Sequence, residues 1–491
     1  MKKFLPYLII LAICFPIIFS LLKPGFYTSD DGEWAVVRFG AFHRALKDGQ
    51  FPPRWADNLF HGYGYPVLNF NYPLPYYLAE VFHLFLGFVV SIKAVFIFSV
   101  IASGFSFYLL ARSLSATTLY LYFPFRLLNL YHRGSIGESL SLVFIPLCFY
   151  FLKKKRFFLL ALSLAALILS HNVVALISFP FLLIYGFKQI KNFSFLKGII
   201  LGLLLSLFFW LPALWEKNIT NLGAGLLGHP TEYFNLPVPL GLVTLLAIAA
   251  IILFRFKEKI FILFGLSISL FMMSSISSWV YYLPLVNFIG YPWRFLHLVG
   301  FFTAWGLALI LHIPGMCKSL IRGLFLIIII PLITYFQFPH LFKPKEFVNR
   351  SDDYYLTNQA TTISADENTP LWVKDSPTHQ PDQKIELVGD FEIISKKSNL
   401  LKADLNLTQD QVVKINTIYY PGWKIFLNEQ ELPSLHLQDQ MGRISFQAPV
   451  GEHHLELKFT ETPFRLICNL ISFLTFFYIL YSIFKTLKSN A

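Results

Sequence analysis

Two adjacent carboxylates, Asp30 and Asp31, stand in Thr28-Ser29-Asp30-Asp31-Gly32-Glu33-Trp34, shortly past the first apolar stretch of the chain. Acids at a membrane surface are costly to desolvate, so the pair needs a structural or a chemical reason. The structural reason is a helix start, with Asp30 as N-cap and Glu33 closing a capping box. A second acid inside that cap adds repulsion and no cap. Further along, Arg126 falls inside an apolar stretch, where a central Arg costs about 2.5–3.5 kcal/mol unless it snorkels to the interface. Arg133 and Glu138 flank Gly134-Ser135-Ile136-Gly137, and Ser135 with Glu138 reads as a second capping box. His171-Asn172 joins two apolar stretches in a tight turn. Arg294 sits in Tyr291-Pro292-Trp293-Arg294-Phe295 at the start of another, where anchoring beside Trp293 also explains it. Asp30, Asp31, Arg126, Arg133, Glu138, His171 and Arg294 all fall at one membrane level, the outer boundary. Acids beside arginines there suit a reaction with a lipid-borne donor and a phosphate leaving group.

The elements that hold these residues are hydrocarbon-soluble. Only 14% of the 491 residues are charged and mean hydropathy is +0.57, against about 25% charge in ordinary globular domains. The chain therefore reads as a polytopic α-helical membrane protein. Spans of about 20 apolar residues, fewer where they abut a cavity, fall near 4–22, 93–111, 115–131, 138–152, 157–171, 173–187, 195–212, 239–254, 259–275, 294–311, 320–337 and 466–484. Twelve such spans place both termini on one side. Arg112, the run Lys153-Lys154-Lys155-Arg156, Lys188, Arg255, Lys257, Lys259 and Lys485 then all lie in inner loops, as the positive-inside rule requires. The stretch from Tyr76 to Val90 is apolar enough to cross, but counting it inverts every later loop. With Glu80, His83 and two preceding prolines it reads as an interfacial helix, which leaves 23–92 as one large outer loop. Met1-Lys2-Lys3 and the apolar run after it read as a retained anchor. Cys14, Cys148, Cys317 and Cys468 lie in or beside apolar stretches with no near partner, so neither a disulfide framework nor a zinc site is expected.

After 337 the composition turns polar, with Asp352-Asp353, Asp366-Glu367 and a Pro-rich linker near 370–381. From Lys384 onward period-two runs such as Val412–Ile418, Trp423–Leu427 and His454–Phe459, parted by turns at Asn428-Glu429 and Val450-Gly451-Glu452, predict an outer β-sandwich. The organisation read is 1–337 membrane domain, 338–465 extracytoplasmic β-rich domain and 466–491 C-terminal anchor.

This layout resembles the GT-C glycosyltransferases: a first span, a large outer loop with an acidic pair, surface helices, further spans and a soluble outer C-terminal domain. Asp30-Asp31-Gly32-Glu33-Trp34-Ala35 is similar to the Asp-Glu-x-x-Tyr-Ala start of aminoarabinose transferases and protein O-mannosyltransferases, with Asp31 in place of the family Glu and Trp34 in place of its Tyr. Gly49–Trp55, Gly62-Tyr63-Gly64-Tyr65-Pro66, Arg133–Glu138, Ser170-His171-Asn172, Tyr291–Phe295 and Tyr420-Pro421-Gly422-Trp423 resemble the bacterial membrane proteins named after a "6-pyruvoyl-tetrahydropterin synthase-related" domain and YfhO-like proteins. No metal triad of histidines of the pterin-synthase kind is present in the sequence. The resemblance implies that Asp30 is the general base and Asp31 its neighbour or, with it, a ligand of a divalent cation such as Mg or Mn. It implies that Arg54, Tyr63, Tyr65, Arg126, Arg133, Glu138, His171, Asn172 and Arg294 bind substrate. The implied reaction is inverting transfer of a sugar from a polyprenyl-phosphate-linked donor to a cell-envelope glycan, lipid or protein acceptor. It runs at the extracytoplasmic face of a bacterial plasma membrane, with both termini cytoplasmic and no nucleic-acid partner. Two other readings stay open: a transporter or flippase of lipid-linked glycans, which favours matched halves and mid-bilayer charges, and a non-catalytic assembly protein that leaves Asp30 and Asp31 as caps.

Overall fold

The computed structural model describes residues 4–190, 193–222, 239–284, 286–314, 320–359 and 367–489. Lys2, Lys3, Cys317 and Asp366 lie outside them. Six helices are long and apolar enough to cross a membrane: Leu5–Leu22, Phe88–Ala111, Ile136–Lys153, Asn172–Gln189, Pro292–Leu311 and Pro463–Lys485. Two bent pairs, Phe195–Leu205 with Leu207–Ile219 at 65° and Lys259–Met272 with Ser275–Tyr282 at 85°, raise the number to eight. The protein is a multi-pass membrane protein. Leu466, Ile467, Leu470, Phe473 and Leu474 of the last helix are more than half exposed, an arrangement that suits lipid and not water.

The twelve spans of the sequence reading are not twelve uninterrupted helices. Phe157–Ser170, Leu242–Leu253 and Gly323–Gln337 are shorter apolar helices. The stretch 115–131 is broken into Leu114–Leu121 and Pro124–Leu128. Pro124 is the cause: its ring pushes the preceding Phe123 into extended backbone (φ −60°, ψ 125°). A wide turn, Asn129–Arg133, follows and closes at Gly134 with φ +65°. The ambiguous stretch 76–90 is a ten-residue helix, Leu74–His83, too short to cross. The next helix starts at Phe88, earlier than the span edge at 93, and exposes Leu84 and Phe85 at the turn between them.

The loop after the first helix folds around the helix Gly32–Lys47. Its entry strand β1 (Phe26–Tyr27) pairs antiparallel with β2 (Phe347–Val348), so the start of the C-terminal region is woven into the loop. Eight further strands follow: β3 (Ile385–Glu386), β4 (Gly389–Lys397), β5 (Leu400–Leu407), β6 (Gln411–Ile418), β7 (Trp423–Leu427), β8 (Gln430–Leu432), β9 (Arg443–Ala448) and β10 (Gly451–Phe459). They form two antiparallel sheets, ordered β4-β5-β10-β7-β8 and β3-β6-β9. Leu401, Ala403, Leu405 and Leu407 alternate into the core along β5, the period-two pattern of a half-buried strand. Asn428 and Glu429, both at positive φ, make the two-residue turn between β7 and β8, as a tight hairpin demands.

The helix Ile136–Lys153 carries Glu138 at one end and the Lys153–Arg156 run at the other. Reporter fusions after Lys155 and after Thr408 should therefore report opposite faces, with Lys155 cytoplasmic. The same face for both would overturn this arrangement.

Candidate functional site

The loop before Gly32–Lys47 and the loop before Ile136–Lys153 are hydrogen-bonded backbone to backbone. The Asp30 N–H donates to His132 O (2.9 Å) and the Asp31 N–H to Arg133 O (2.7 Å). Gly32 and Gly134 make this approach possible: a Cβ on Gly134 would lie 2.6 Å from both the Gly32 Cα and N. The capping-box expectation at Asp30 does not hold. The helix N-cap is Asp31, neither acid caps through its side chain, and Ser29 Oγ accepts from the Gly32 N–H at 3.1 Å instead. Ser29 serves because its short hydroxyl reaches the first helical N–H from within the same turn. Glu33 is turned away, to Arg350 (3.1 Å) and the Tyr355 hydroxyl (3.3 Å). No hydrogen bond or ion pair engages the Asp30 or Asp31 carboxylate among the described residues.

The two acids then part company. Asp30 is exposed. Asp31 is half-buried and close enough to Arg38, Tyr72, Tyr76 and Arg133 to act on their charge. Arg38 lies two turns along the same face of the helix from Asp31.

Glu138 is the hub of the site and is fully buried. The expected cap from Ser135 is missing. Glu138 instead accepts from Arg133 at both oxygens (Nη1 2.5 Å, Nη2 3.1 Å), from Arg294 Nε (3.3 Å) and from His297 Nε2 (2.8 Å). His171 Nε2 stands 3.7 Å away. The turn reading of His171 is half the story: its Nδ1 accepts from the Val174 N–H at 3.2 Å and caps the next helix, which leaves any ring proton on the Nε2 that faces Glu138. The Tyr72 ring lies against His171, tilted by 37° with centroids 5.1 Å apart. Arg133 Nη1 also donates to Asn129 Oδ1 (2.6 Å) and Arg294 Nη1 to Ile289 O (2.5 Å). Each guanidinium has five N–H groups, so both keep donors free of these bonds.

Asp31, Glu138, His171 and Arg294 each sit at a helix N-terminus, so four positive helix ends converge on one spot. With Arg38, Arg133 and Arg294 against Asp31 and Glu138, the cluster is net cationic. The spot suits an anion. Among the described residues no group of three or more His, Cys, Asp and Glu side chains is arranged to hold a metal ion.

Other residues expected at the site make no bond to Glu138 among the described residues. Arg126 is buried close enough to His297 to act on its charge, with Nη2 on Ser103 Oγ and its guanidinium 5.2 Å from the Tyr120 ring; its Nη1 has no partner. Asn172 is exposed. Arg54, Tyr63 and Tyr65 pack beneath the β-sheets. Arg54 is spent on Glu461 (2.7 Å), Asn69 (2.9 Å), Phe208 O (3.1 Å) and Asn469 (3.0 Å), Tyr65 receives the Asn368 N–H at 3.2 Å, and Tyr63 O accepts from Ile418 N at 2.9 Å. His297 and Arg38 escaped the sequence reading. His297 follows Arg294 by three residues, one helical turn on the same face, and that spacing was the available signal.

Fold and site together define a multi-pass helical membrane protein with a cationic, carboxylate-bearing cluster at one end of its helices. No family model matches the chain. Over 204 residues it is 31% identical to an uncharacterized protein of Lactococcus lactis subsp. cremoris (strain MG1363), covering 36% of this chain and 32% of that one, so the chain spans about a third of that relative's length. Among solved structures it is similar to the arabinofuranosyltransferase AftD from Mycobacteria, with a TM-score of 0.45 and 14% identity over 70% of this chain and 27% of that one. A mutant of AftD gives a TM-score of 0.45 and 14% identity over 67% and 27%.

Proposed function

We propose that the protein is an inverting glycosyltransferase that moves a sugar from a polyprenyl-phosphate donor to a cell-envelope acceptor on the extracytoplasmic face of a bacterial plasma membrane. The observation that carries this reading is the cluster: an unengaged Asp31 carboxylate close to Arg133, which Glu138 orients together with Arg294, where four helix N-termini meet. The Asp-Asp-Gly-Glu-Trp-Ala resemblance supports it. Asp31 is favoured as the base over Asp30, because Asp31 is half-buried and close enough to Arg38 and Arg133 to act on their charge, whereas Asp30 is exposed. In the step proposed, the acceptor oxygen forms the new bond to the anomeric carbon and its proton passes to Asp31. The old C–O bond breaks with its electron pair going to the polyprenyl phosphate, and Arg133, Arg294 and the helix ends meet the charge that develops there. Glu138, with both oxygens saturated by donors, positions the arginines and takes no proton.

The test is transfer of labelled sugar from polyprenyl phosphate in reconstituted membranes. Arg294→Gln should lower turnover about 10²–10³-fold, the usual loss for one transition-state donor, while insertion and monodispersity stay normal. Arg294→Lys should recover only part, lacking the planar fork. Full activity in Arg294→Gln would reassign the residue to interface anchoring.

A further inference from the structure

Tyr72 stands in the loop between the helices Val67–Phe70 and Leu74–His83, and the transfer step as drawn gives its hydroxyl no role. The loop is held firmly here. Pro73 follows, which restricts Tyr72 toward extended backbone. On the other side Asn71 N–H donates to Val67 O (2.9 Å) and Asn71 Nδ2 to the buried Tyr76 hydroxyl (3.1 Å). The phenol is seated on a bare spot of the helix Ile136–Lys153: a Cβ on Gly137 would lie 2.4 Å from both Cε2 and Cζ of Tyr72. The hydroxyl-bearing end of the ring therefore packs on the residue before Glu138, with His171 against its face.

Packing alone does not ask for a tyrosine, since phenylalanine would fill the same space over Gly137 and His171. The hydroxyl makes no hydrogen bond among the described residues and its oxygen is accessible, although an enclosed tyrosine O–H ordinarily finds a partner. Tyr72 also couples the two halves of the cluster. Asp31, Arg38 and Glu138 are all close enough to act on its charge, and it acts in turn on that of Arg133. Burial, reinforced by the Tyr76 phenol and opposed by Arg38, holds its pKa above the ordinary tyrosine range. Tyr72 therefore keeps its proton and meets an anion as a donor.

We propose that the Tyr72 hydroxyl is a further catalytic group, which donates a hydrogen bond to the phosphate of the polyprenyl-phosphate leaving group. This contact deepens the proposed transfer and rests on that reading. The proton stays on the phenol, and no bond forms or breaks beyond those of the transfer itself. A neutral donor suits the place. A lysine or arginine at position 72 would pair with the nearby Asp31 and engage the base, whereas a phenol adds attraction for the phosphate and leaves that carboxylate unengaged, as the structure has it.

Tyr72→Phe keeps the ring on Gly137 and removes only the O–H. In reconstituted membranes it should lower kcat for labelled-sugar transfer about 10–100-fold, the loss of one hydrogen bond to a charged group, with the acceptor KM unchanged. Tetrafluorotyrosine at position 72 restores a far more acidic donor. Transfer should then return at mildly acid pH and fall as pH rises through the fluorinated phenol's pKa, a limb that wild type lacks. A second readout needs no turnover: full-length protein in nanodiscs is titrated with polyprenyl phosphate and with the uncharged polyprenol, followed by tryptophan fluorescence. Tyr72→Phe should bind polyprenyl phosphate several-fold more weakly and polyprenol as wild type does. Where wild type transfers sugar, wild-type turnover in Tyr72→Phe overturns the assignment, even though Asp31→Asn still collapses and the transferase reading stands. Where wild type transfers none, the transferase reading falls, and equal binding of polyprenyl phosphate by wild type and Tyr72→Phe overturns the contact as well. A loss shared equally by polyprenol would mark packing and overturn it too.

Discussion

Asp31→Asn is expected to fold, insert and bind the lipid donor, yet lose glycosyl transfer by about 10²–10⁴-fold, the range a positioned general base supplies. The amide keeps the shape of the carboxylate and cannot take the acceptor's proton. Helix capping does not confuse the result, because Ser29 Oγ caps Gly32–Lys47. Ser29→Ala is the matching control: it should lower stability by about 1 kcal/mol with little effect on transfer per folded molecule. Asp30→Asn, at an exposed carboxylate, should stay within a few-fold of wild type. Transfer is followed with labelled sugar, each variant being checked for monodispersity and donor binding. Near-normal turnover by Asp31→Asn together with collapse in Asp30→Asn would exchange the two roles. Near-normal turnover in both would remove the base from this loop altogether.

The sequence pointed to the cluster through convergence and not through any one residue. Arg133, Glu138, His171 and Arg294 each had a mundane explanation taken singly, and each was placed at the outer boundary by the spacing of apolar stretches. That shared level is what the folded chain turns into contacts on Glu138. What escaped was choice among local options. Ser29 and Asp30 are both good caps, and only the backbone bonds to His132 and Arg133 decide which one serves. Arg126 takes Ser103 and the Tyr120 ring as partners, and the break at Pro124, which the apolar run 115–131 hides, sets its helix apart from Leu114–Leu121. Motif likeness alone points Arg54, Tyr63 and Tyr65 to substrate. Their partners Glu461, Ile418 and Asn368 lie hundreds of residues away, and no local pattern announces such pairing.

Glu216→Ala should produce the largest loss of stability in the chain. Glu216 is 5% exposed and receives Arg465 at both oxygens (Nε to Oε1 and Nη2 to Oε2, each 2.7 Å), with the Tyr420 hydroxyl and Asn69 Nδ2 both at 2.8 Å from Oε2. Arg465 is wholly buried and its Nη1 has no partner even now. Removing the carboxylate strands that guanidinium beside the cation of Arg54, and breaking a buried pair from one side costs about 3–5 kcal/mol. Glu216 and its three partners come from a helix of the bundle, the loop after the first helix, the β-rich region and the last helix, so the damage should spread. Heating followed by size-exclusion chromatography should show an earlier loss of the monodisperse peak, and protease should cut sooner between the sheets and the bundle. Arg465→Met alone should be milder, since Glu216 keeps two neutral donors. The double variant Glu216→Met with Arg465→Met should recover part of the loss, because a buried pair replaced by apolar side chains is often nearly neutral; recovery stays incomplete while Asn69 and Tyr420 lack an acceptor. A Glu216→Ala protein as heat-stable as wild type would mean that this junction is held by packing of Trp55, Tyr420, Trp423 and Phe459, with the ion pair contributing little.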